Sequence, residues 1–328
     1  MLSSKDSKFG VVAIGRNEGD RLRGCLQSLT PAATVVYVDS GSKDGSAQWA
    51  RDWGAEVIEL DVRLPFTAAR ARNAGFKRLR EMAPTLDYVQ FVDGDCELIE
   101  RWPEPALAFL DSHPDVGAVC GMRRERYPRR SVYNWLCDQE WNGPINEVCA
   151  CGGDMMVRAI AIEAVKGYRE DMIAGEDPEL CVRLRAAGWR IWRLDIQMTH
   201  HDAAMTRFSQ WWRRGVRSGY VFAQGAYLHG APPERHFVWE SSRAWLWGVC
   251  FPIICLMITL TVEPWGWVVW LIYLLQFLRQ IWRNSGPLSQ RATLALFQTL
   301  VRFPEGLGQM KFLTDRTLNR RVRLIEYK

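Results

Sequence analysis

The sequence contains no Cys-x-x-Cys pair, no internal repeat and no low-complexity tract. Its nine cysteines are an odd number, so neither a disulfide framework nor a structural zinc site is expected. A signal peptide is not expected either, because Met1–Ser7 is polar and the apolar run that follows has only the length of a strand. With 48% hydrophobic and 24% charged residues, wholesale disorder is excluded. We therefore expect a folded main domain with reduced thiols, which stays in the cytoplasm.

Charge is almost absent from residues 244–278, where Glu263 is the only formally charged side chain. The run Ala244–Val262 has about 19 residues, enough to cross a bilayer as a helix, whereas Trp265–Leu278 has about 14 and is short for a full span. A helical hairpin buried in a soluble core is the alternative. Because both runs are apolar all round, the sequence favours one or two membrane helices.

Basic residues are concentrated at the end of the chain. Residues 283–328 contain about nine Lys or Arg and three Asp or Glu. Their surplus of about six positive charges exceeds the net charge of +5 of the whole chain. A basic amphipathic segment beside an apolar one is typical of contact with anionic lipid, and nucleic acid is not expected because no reading motif is present. Arginines on both sides of residues 244–278 favour an inner-membrane protein with its main domain on the cytoplasmic face.

The first part of the chain alternates between buried strands and amphipathic helices. Hydrophobic spacing predicts strands at Phe9–Ile14, Thr34–Val38, Glu56–Leu60 and Tyr88–Val92, and helices at Asp20–Leu29, Ser46–Trp53 and Ala68–Met82. This alternation predicts an α/β fold with a doubly wound, mostly parallel sheet, whose ligands bind at the carboxyl ends of the strands. Polar clusters follow three of the four strands.

The pattern is less regular after Pro114. We predict strands at Val116–Cys120 and Arg190–Leu194, a basic loop at Arg123–Arg130, and helices at Val157–Val165 and Asp177–Ala187. These elements, with the apolar and basic stretches that follow, suggest four segments: residues 1–115, residues 116–240, the apolar segment (241–282) and the basic interfacial tail (283–328).

Two carboxylate motifs follow predicted strands. Asp93-Gly94-Asp95 places two anions close together, an arrangement that favours Mg²⁺ or Mn²⁺ with a bound diphosphate, although so short a motif is weak alone. Asp39 opens a turn rich in small residues, where it can accept a hydrogen bond from a nucleobase or simply close the turn.

Three further clusters carry charged or titratable groups. Glu176 and Asp177 open a helix, where the dipole favours ionised carboxylates that act either as a general base or as ordinary caps. His200 is taken as a metal ligand, with the choice between it and His201 left open and a surface pair as the alternative. Arg213 and Arg214 lie at near-helical spacing and either bind a phosphate or acceptor or form a solvated face.

Taken in order, these clusters resemble the family 2 glycosyltransferases. The resemblance covers about two thirds of the chain and rests on the segments Val11–Glu18, Val38–Gly45, Ala71–Gly75, Phe91–Asp95, Gly152–Asp154 and Gly175–Asp177, followed by Leu180 and Arg183-Leu184. It implies a GT-A fold and inverting transfer from a nucleoside-diphosphate sugar. Residues 1–115 would then be the nucleotide-sugar-binding half, and residues 116–240 the acceptor-binding half with the catalytic base. Asp177 would be the base, supported by Glu176, and Asp95 would hold the metal. The implied nucleotide-sugar contacts are Glu18, Asp39, Arg72, Asp93 and Asp154.

Some residues depart from the family pattern. Processive synthases carry the motif Gln-x-x-Arg-Trp. In this chain the corresponding residues are 210–214, and Arg214 stands in place of the tryptophan. We therefore expect transfer of a single sugar to a glycan or lipid-linked acceptor, in cell-envelope or exopolysaccharide biosynthesis. The alternatives are a membrane-tethered nucleotide-sugar scaffold without activity, a nucleotidyltransferase, and a glycoside hydrolase, for which the Asp-Gly-Asp pair is poorly suited.

Overall fold

The computed structural model describes residues 8–29 and 34–319 of the 328-residue chain. The chain divides into two compact units, Met1–Thr206 and Arg207–Lys328, which we call the N-terminal and C-terminal units. The polar segment Met1–Ser7 and residues 320–328 of the basic tail lie outside the described residues. The four functional segments expected from the sequence stay a prediction.

Four parallel strands begin the N-terminal unit: β1 (Phe9–Gly15), β2 (Thr34–Asp39), β3 (Glu56–Glu59) and β4 (Tyr88–Asp93). They lie in the order β3-β2-β1-β4 and are connected by helices α1 (Asp20–Gln27), α2 (Ser46–Trp53) and α3 (Ala68–Met82). Strands β1, β2 and β4 are buried along nearly their whole length. Burial on both faces explains why these strands are continuous apolar runs in the sequence.

The remaining strands extend this sheet in mixed directions: β5 (Cys96–Leu98), β6 (Val116–Glu125), β7 (Asn146–Glu147), β8 (Met155–Arg158) and β9 (Arg190–His201). Strand β8 lies antiparallel between β4 and β6, whereas β9 runs parallel to β6. Short β5 and β7 pair antiparallel with β9. The result is a mostly parallel α/β sheet, which confirms the predicted fold class.

Helices of this half are α4 (Pro103–Ser112), α5 (Val132–Trp141), α6 (Ala159–Ala164) and α7 (Glu176–Ala186). The helix predicted at Val157–Val165 is wrong in its first part, because Met155–Arg158 fills the gap between two strands and pairs with both. The loop predicted at Arg123–Arg130 begins later than expected, since β6 continues to Glu125 along β9. For the same reason β9 continues to His201 instead of ending at Leu194.

The C-terminal unit is helical. It contains α8 (Phe208–His229), α9 (Val238–Trp245), α10 (Phe251–Thr261), α11 (Leu271–Arg283), α12 (Leu288–Leu300) and α13 (Arg302–Thr317). Helices α8 and α13 pack closely where Gly219 meets the backbone of Glu305, a contact that leaves no room for a larger side chain. The edge-to-face contact of Tyr220 with Phe312 lies at the same interface, with ring centroids 5.3 Å apart.

Among the described residues, one helical segment is long and apolar enough to cross a membrane, Val238–Thr261. Only 17% of its apolar window is buried. The second apolar run starts as a short 3₁₀ helix at Trp265–Trp270 and continues into α11. Large apolar side chains are exposed along both runs, among them Leu260, Trp265, Trp267, Leu275 and Trp282. Such a surface is unusual for a monomeric soluble protein.

Candidate active site

Asp39 lies at the carboxyl end of β2 and is buried. Its Oδ2 accepts hydrogen bonds from the backbone N–H of Gly41 (2.9 Å) and Ser42 (2.7 Å), and its Oδ1 accepts one from the Tyr37 hydroxyl (3.1 Å). Gly41 has φ +87°, a conformation that favours glycine. The carboxylate thus shapes the turn. Each of its oxygens has two lone pairs, so this role does not preclude a contact with a nucleobase.

The residues that follow β1 and β4 lie close together, as the surroundings of Glu18 and Gly94 show. Glu18 pairs with Arg21 at 2.7 Å on the loop after β1. A Cβ on Gly94 would lie 3.0 Å from the Ile14 carbonyl oxygen and 3.3 Å from the Glu18 Cγ. A side chain at position 94 would therefore crowd the end of β1, which favours glycine between Asp93 and Asp95.

Arg72 links three of the predicted site residues. Its side chain comes from α3 and is only 2% exposed. Nη2 donates to Asp93 Oδ1 (2.7 Å) and Nη1 to Glu176 Oε1 (2.6 Å), while Nη1 also lies 3.1 Å from Asp177 Oδ1. Burial opposes the charged form, but the three carboxylates outweigh it and raise the pKa of Arg72 well above its usual value. This guanidinium holds the Asp-Gly-Asp turn and the start of α7 together.

Asp154 is buried behind Asp93. Its Oδ1 accepts a hydrogen bond from the Asp93 backbone N–H (3.0 Å), and its Oδ2 accepts one from the Thr199 hydroxyl (2.9 Å). Arg123 Nη2 lies 2.8 Å from the same Oδ2 and 3.6 Å from Asp93 Oδ2. Although burial opposes ionisation, Arg123 and these donors hold the pKa of Asp154 below its usual value. The ionised Asp154 carboxylate therefore positions the backbone of Asp93.

Asp177 lies on the first turn of α7. Its side chain is 15% exposed, and its Oδ1 lies 3.1 Å from Arg72 Nη1. The pKa of Asp177 is raised to about 8. Burial has the largest effect, Arg72 opposes it, and Glu176 and Asp93 act in the same direction as burial. A carboxyl group that titrates near neutral pH at the edge of a site is suited to proton transfer.

His201, rather than His200, reaches the Asp-Gly-Asp turn. Its Nε2 lies 3.4 Å from Asp95 Oδ2, and its Nδ1 lies 3.8 Å from Glu125 Oε2. His200 contacts Gln197 instead, with 2.8 Å between the two nitrogens. Because side chains alternate along a strand, consecutive residues of β9 point to opposite faces of the sheet. The choice of His200 is thus corrected in position: His201 is the histidine beside Asp95, and its role as a metal ligand stays a prediction.

The predicted residues therefore separate into two groups. Asp39, Arg72, Asp93, Asp154 and Asp177 come from strand ends and helix starts of the N-terminal unit, together with Glu18, Asp95 and Glu176. Arg213 and Arg214 belong to α8 of the C-terminal unit, and their role in binding phosphate or acceptor stays a prediction.

Sequence reasoning missed Arg123, Thr199 and Tyr168. Arg123 was assigned to a loop, although it lies in β6 and its guanidinium is 5.6 Å from the Trp141 ring. Tyr168 lies 5.5 Å below the Arg72 guanidinium. Arg123 reaches the site because β6 continues beyond Cys120 in register with β9, and the local sequence does not indicate this continuation.

The raised pKa of Asp177 predicts a pH-dependent effect on stability. A free Asp titrates near 3.9, so between about pH 4 and 8 the folded state retains a proton that the unfolded chain releases. Stability relative to Asp177→Asn should therefore fall as the pH rises through this interval. We expect the melting temperature of Asp177→Asn to exceed that of the wild type by more at pH 8.5 than at pH 5, both measured with a chelator present. Asp171→Asn, at an exposed carboxylate, should show no such trend, and a pH-independent difference for Asp177→Asn would contradict the assignment.

Residues 11–147 match the model of the family described as glycosyl transferase family 2. The succinoglycan biosynthesis protein ExoA of Rhizobium meliloti is 28% identical over 196 residues, which cover 55% of this chain and 58% of that protein. The glycosyltransferase AglE of Haloferax volcanii is 24% identical over 189 residues, 53% of this chain and 60% of that protein. The chain thus spans about three fifths of the length of these curated relatives.

Two solved structures share the fold. The mannosyltransferase PcManGT from Pyrobaculum calidifontis aligns with a TM-score of 0.57 at 19% identity, over 96% of this chain and 90% of that one. TarS of S. aureus, residues 1–349, aligns with a TM-score of 0.54 at 15% identity, over 90% of each chain. Residues 11–147 thus match a glycosyl transferase family 2 domain, and the two solved structures show that the chain has a GT-A fold.

Proposed function

We propose that the protein transfers one sugar, with inversion, from a nucleoside-diphosphate sugar to an acceptor hydroxyl or phosphate. The observation that carries this proposal is the bridge from Arg72 to both Asp93 and the Glu176–Asp177 helix start. It brings a carboxyl group with a pKa near neutrality next to a turn with two closely spaced carboxylates. One group can then accept a proton beside the place where a diphosphate binds.

The roles follow from position and burial. Asp177 accepts the proton of the attacking acceptor group, and Glu176 fixes the Arg72 guanidinium that orients it. Asp39 and Glu18 lie on the loops after β2 and β1, where they would contact the nucleoside. Asp93, oriented by Asp154, would face the ribose and diphosphate. Inversion follows from a single displacement with one base.

The residues around Asp95 fit a divalent cation. Ligand atoms of Asp95, Cys96 and His201 lie within 4.8 Å of one another, as do those of Asp93, Cys96 and Asp154. Burial is the largest of the effects that raise the pKa of the Cys96 thiol well above its usual value, so that oxygen and imidazole are the available donors. Burial likewise lowers the pKa of His201, which favours the neutral, ligating form. An imidazole beside carboxylates suits Mn²⁺ better than Mg²⁺, and PcManGT was solved with GDP-Man and Mn²⁺. When bound, such an ion supplies positive charge for the diphosphate leaving group.

The two adjacent histidines provide a matched test of this site. We expect His201→Ala to weaken Mn²⁺ binding by roughly 10–100-fold, because the imidazole beside Asp95 is lost. His200→Ala, one residue away on the other face of the sheet, should leave the affinity unchanged. Both can be measured by titrating Mn²⁺ while following thermal stability. Equal loss in the two variants, or none in His201→Ala, would rule out this ligand set.

We further propose that the acceptor is carried by a lipid at the cytoplasmic face of the inner membrane. The exposed apolar side chains of α10 and α11 support this location, as does the apolar segment Val238–Thr261. The name of ExoA places that relative in succinoglycan biosynthesis, which is consistent with a glycan acceptor. Arg213 and Arg214 of α8 are candidates for the acceptor phosphate.

One experiment tests the proposed reaction directly. The full-length protein is incubated with a panel of UDP- and GDP-sugars, Mn²⁺ and a membrane lipid extract, and release of nucleoside diphosphate is measured. Release that depends on the extract supports transfer to a lipid-linked acceptor. Binding of a nucleotide sugar by calorimetry without any release would support the inactive scaffold instead.

A further inference from the structure

A rigid basic turn lies one residue beyond the end of β6. Residues Tyr127–Arg130 form a turn closed by a hydrogen bond from the Arg130 N–H to the Tyr127 carbonyl (3.0 Å), with Pro128 at its second position. Proline at this position fixes the backbone angle that the turn requires. The two residues that follow the proline, Arg129 and Arg130, are both exposed. The sequence thus presents two guanidinium groups on a preformed turn.

Buried polar groups hold this turn in place. Glu125 Oε1 accepts hydrogen bonds from the Tyr127 N–H (3.0 Å) and from Asn134 Nδ2 (3.0 Å). Asn134 also donates to the Tyr127 carbonyl at 3.2 Å. Both Glu125 and Asn134 are buried, and Asn134 Oδ1 accepts from the Met205 N–H. The turn is therefore tied to the core, unlike an ordinary surface loop.

The arginines of this segment differ in whether a carboxylate pairs with them. Arg126 pairs with Glu97. By contrast, within residues 8–29 and 34–319 no carboxylate pairs with Arg129 or Arg130. The next residue, Ser131, is the N-cap of the ten-residue helix α5. The positive end of this helix dipole therefore lies beside the turn. A solvent-open cavity of about 610 Å³ is lined by Arg126, Tyr127, Pro128, Arg129 and Arg130.

The turn adjoins the candidate metal centre through the backbone. The Arg126 N–H donates to the His201 carbonyl at 2.8 Å, and Glu125 faces the His201 ring. In the sheet, β6 is separated from β4 by β8, whereas Asp39 lies two strands to the other side of β4. The basic turn therefore lies across the metal centre from the loop that is proposed to contact the nucleoside.

We propose that the cavity lined by Arg126–Arg130 binds a phosphate-bearing group, and that this group belongs to the acceptor. The assignment rests on the proposed function, because the acceptor must approach from the side opposite the nucleoside. One guanidinium group can bind two phosphate oxygens at once. Two such groups on one rigid turn therefore suit a phosphate monoester or diphosphate. The donor diphosphate is the other source of the same chemistry.

Protection of the arginines against phenylglyoxal distinguishes these sources. The full-length protein is labelled at constant ionic strength, and modification of Arg129 and Arg130 is quantified by mass spectrometry. We expect inorganic phosphate to slow labelling severalfold, also when UDP and Mn²⁺ already fill the donor site. If UDP with Mn²⁺ protects both residues and phosphate adds nothing, the turn serves the donor and the acceptor assignment is overturned. If neither protects, there is no phosphate site.

A double variant gives a second measurement that needs no turnover. We expect Arg129→Gln/Arg130→Gln to weaken the binding of radiolabelled inorganic phosphate, measured by equilibrium dialysis, by about tenfold or more. Arg101→Gln, at an exposed arginine before α4, should bind phosphate like the wild type. Unchanged affinity in the double variant would overturn the proposal. Because neither measurement requires sugar transfer, a protein that binds phosphate here but releases no nucleoside diphosphate would disprove the proposed reaction and leave the phosphate site standing.

Discussion

Asp177→Asn should lower the rate of sugar transfer by roughly 10²–10⁴-fold, the usual contribution of a general base. The amide has nearly the shape of the carboxyl group but cannot take the proton of the acceptor. Because the Asp177 side chain touches Arg72 and not the Asp39 turn, binding of the donor nucleotide should change little. The rate is measured as nucleoside diphosphate release, and donor binding is measured separately by calorimetry.

Two further variants give this result its meaning. Asp171→Asn removes an exposed carboxylate that pairs with Arg169 at 2.7 Å, close in sequence but without a contact to Arg72. It should retain wild-type turnover. Glu176→Gln keeps the hydrogen-bond acceptor for Arg72 but removes a charge, so we expect a smaller loss than in Asp177→Asn. If Asp177→Asn retains the wild-type rate, the base must be sought elsewhere.

Arg72→Leu should produce the largest loss of stability of any single substitution in the site. It leaves the carboxylates of Asp93, Glu176 and Asp177 close together in a buried place without their shared cation. Breaking a buried ion pair from one side costs about 3–5 kcal/mol in the free energy of unfolding. Transfer activity should be lost as well, since the guanidinium orients both Asp93 and the start of α7. Urea titration followed by circular dichroism measures the first effect.

Arg78→Leu is a control on the same helix. Arg78 also contacts two carboxylates, Glu56 at 2.8 Å and Glu81 at 3.2 Å, but its side chain is 41% exposed. Water already screens these charges, so we expect little change in stability or activity. A loss in Arg72→Leu no greater than in Arg78→Leu would show that the buried network does not hold the site together.

Much of the N-terminal unit could be predicted from the sequence. Helices Ser46–Trp53 and Ala68–Met82 were predicted with the bounds that the structure has, and the first four strands lie within one residue of the predicted ends. Strands β1, β2 and β4 are buried on both faces, so their apolar composition helps to distinguish them from loops. The Asp-Gly-Asp turn and the Glu176–Asp177 helix start were recognised because each directly adjoins such an element.

The parts that were missed depend on long-range pairing. Met155–Arg158 is a strand only because β4 and β6 leave a gap that it fills, and nothing within the segment records that gap. The choice between His200 and His201 required the register of β9 against β5, which places His201 opposite Cys96. Likewise, Arg123 joins the site only through the register of β6 with β9. Register decides which face a side chain occupies, and a shift of one residue reverses it.

The division of the chain after Thr206 has a consequence for how such a protein can diversify. Every contact described for Asp39, Arg72, Asp93, Asp154, Asp177 and His201 is made within the N-terminal unit, whereas the exposed apolar helices belong to residues 207–328. The candidate site and the exposed apolar surface are thus encoded in separate stretches of sequence. Exchange of the second stretch for that of another chain would combine the same candidate site with a different surface, so selection can change one without changing the other.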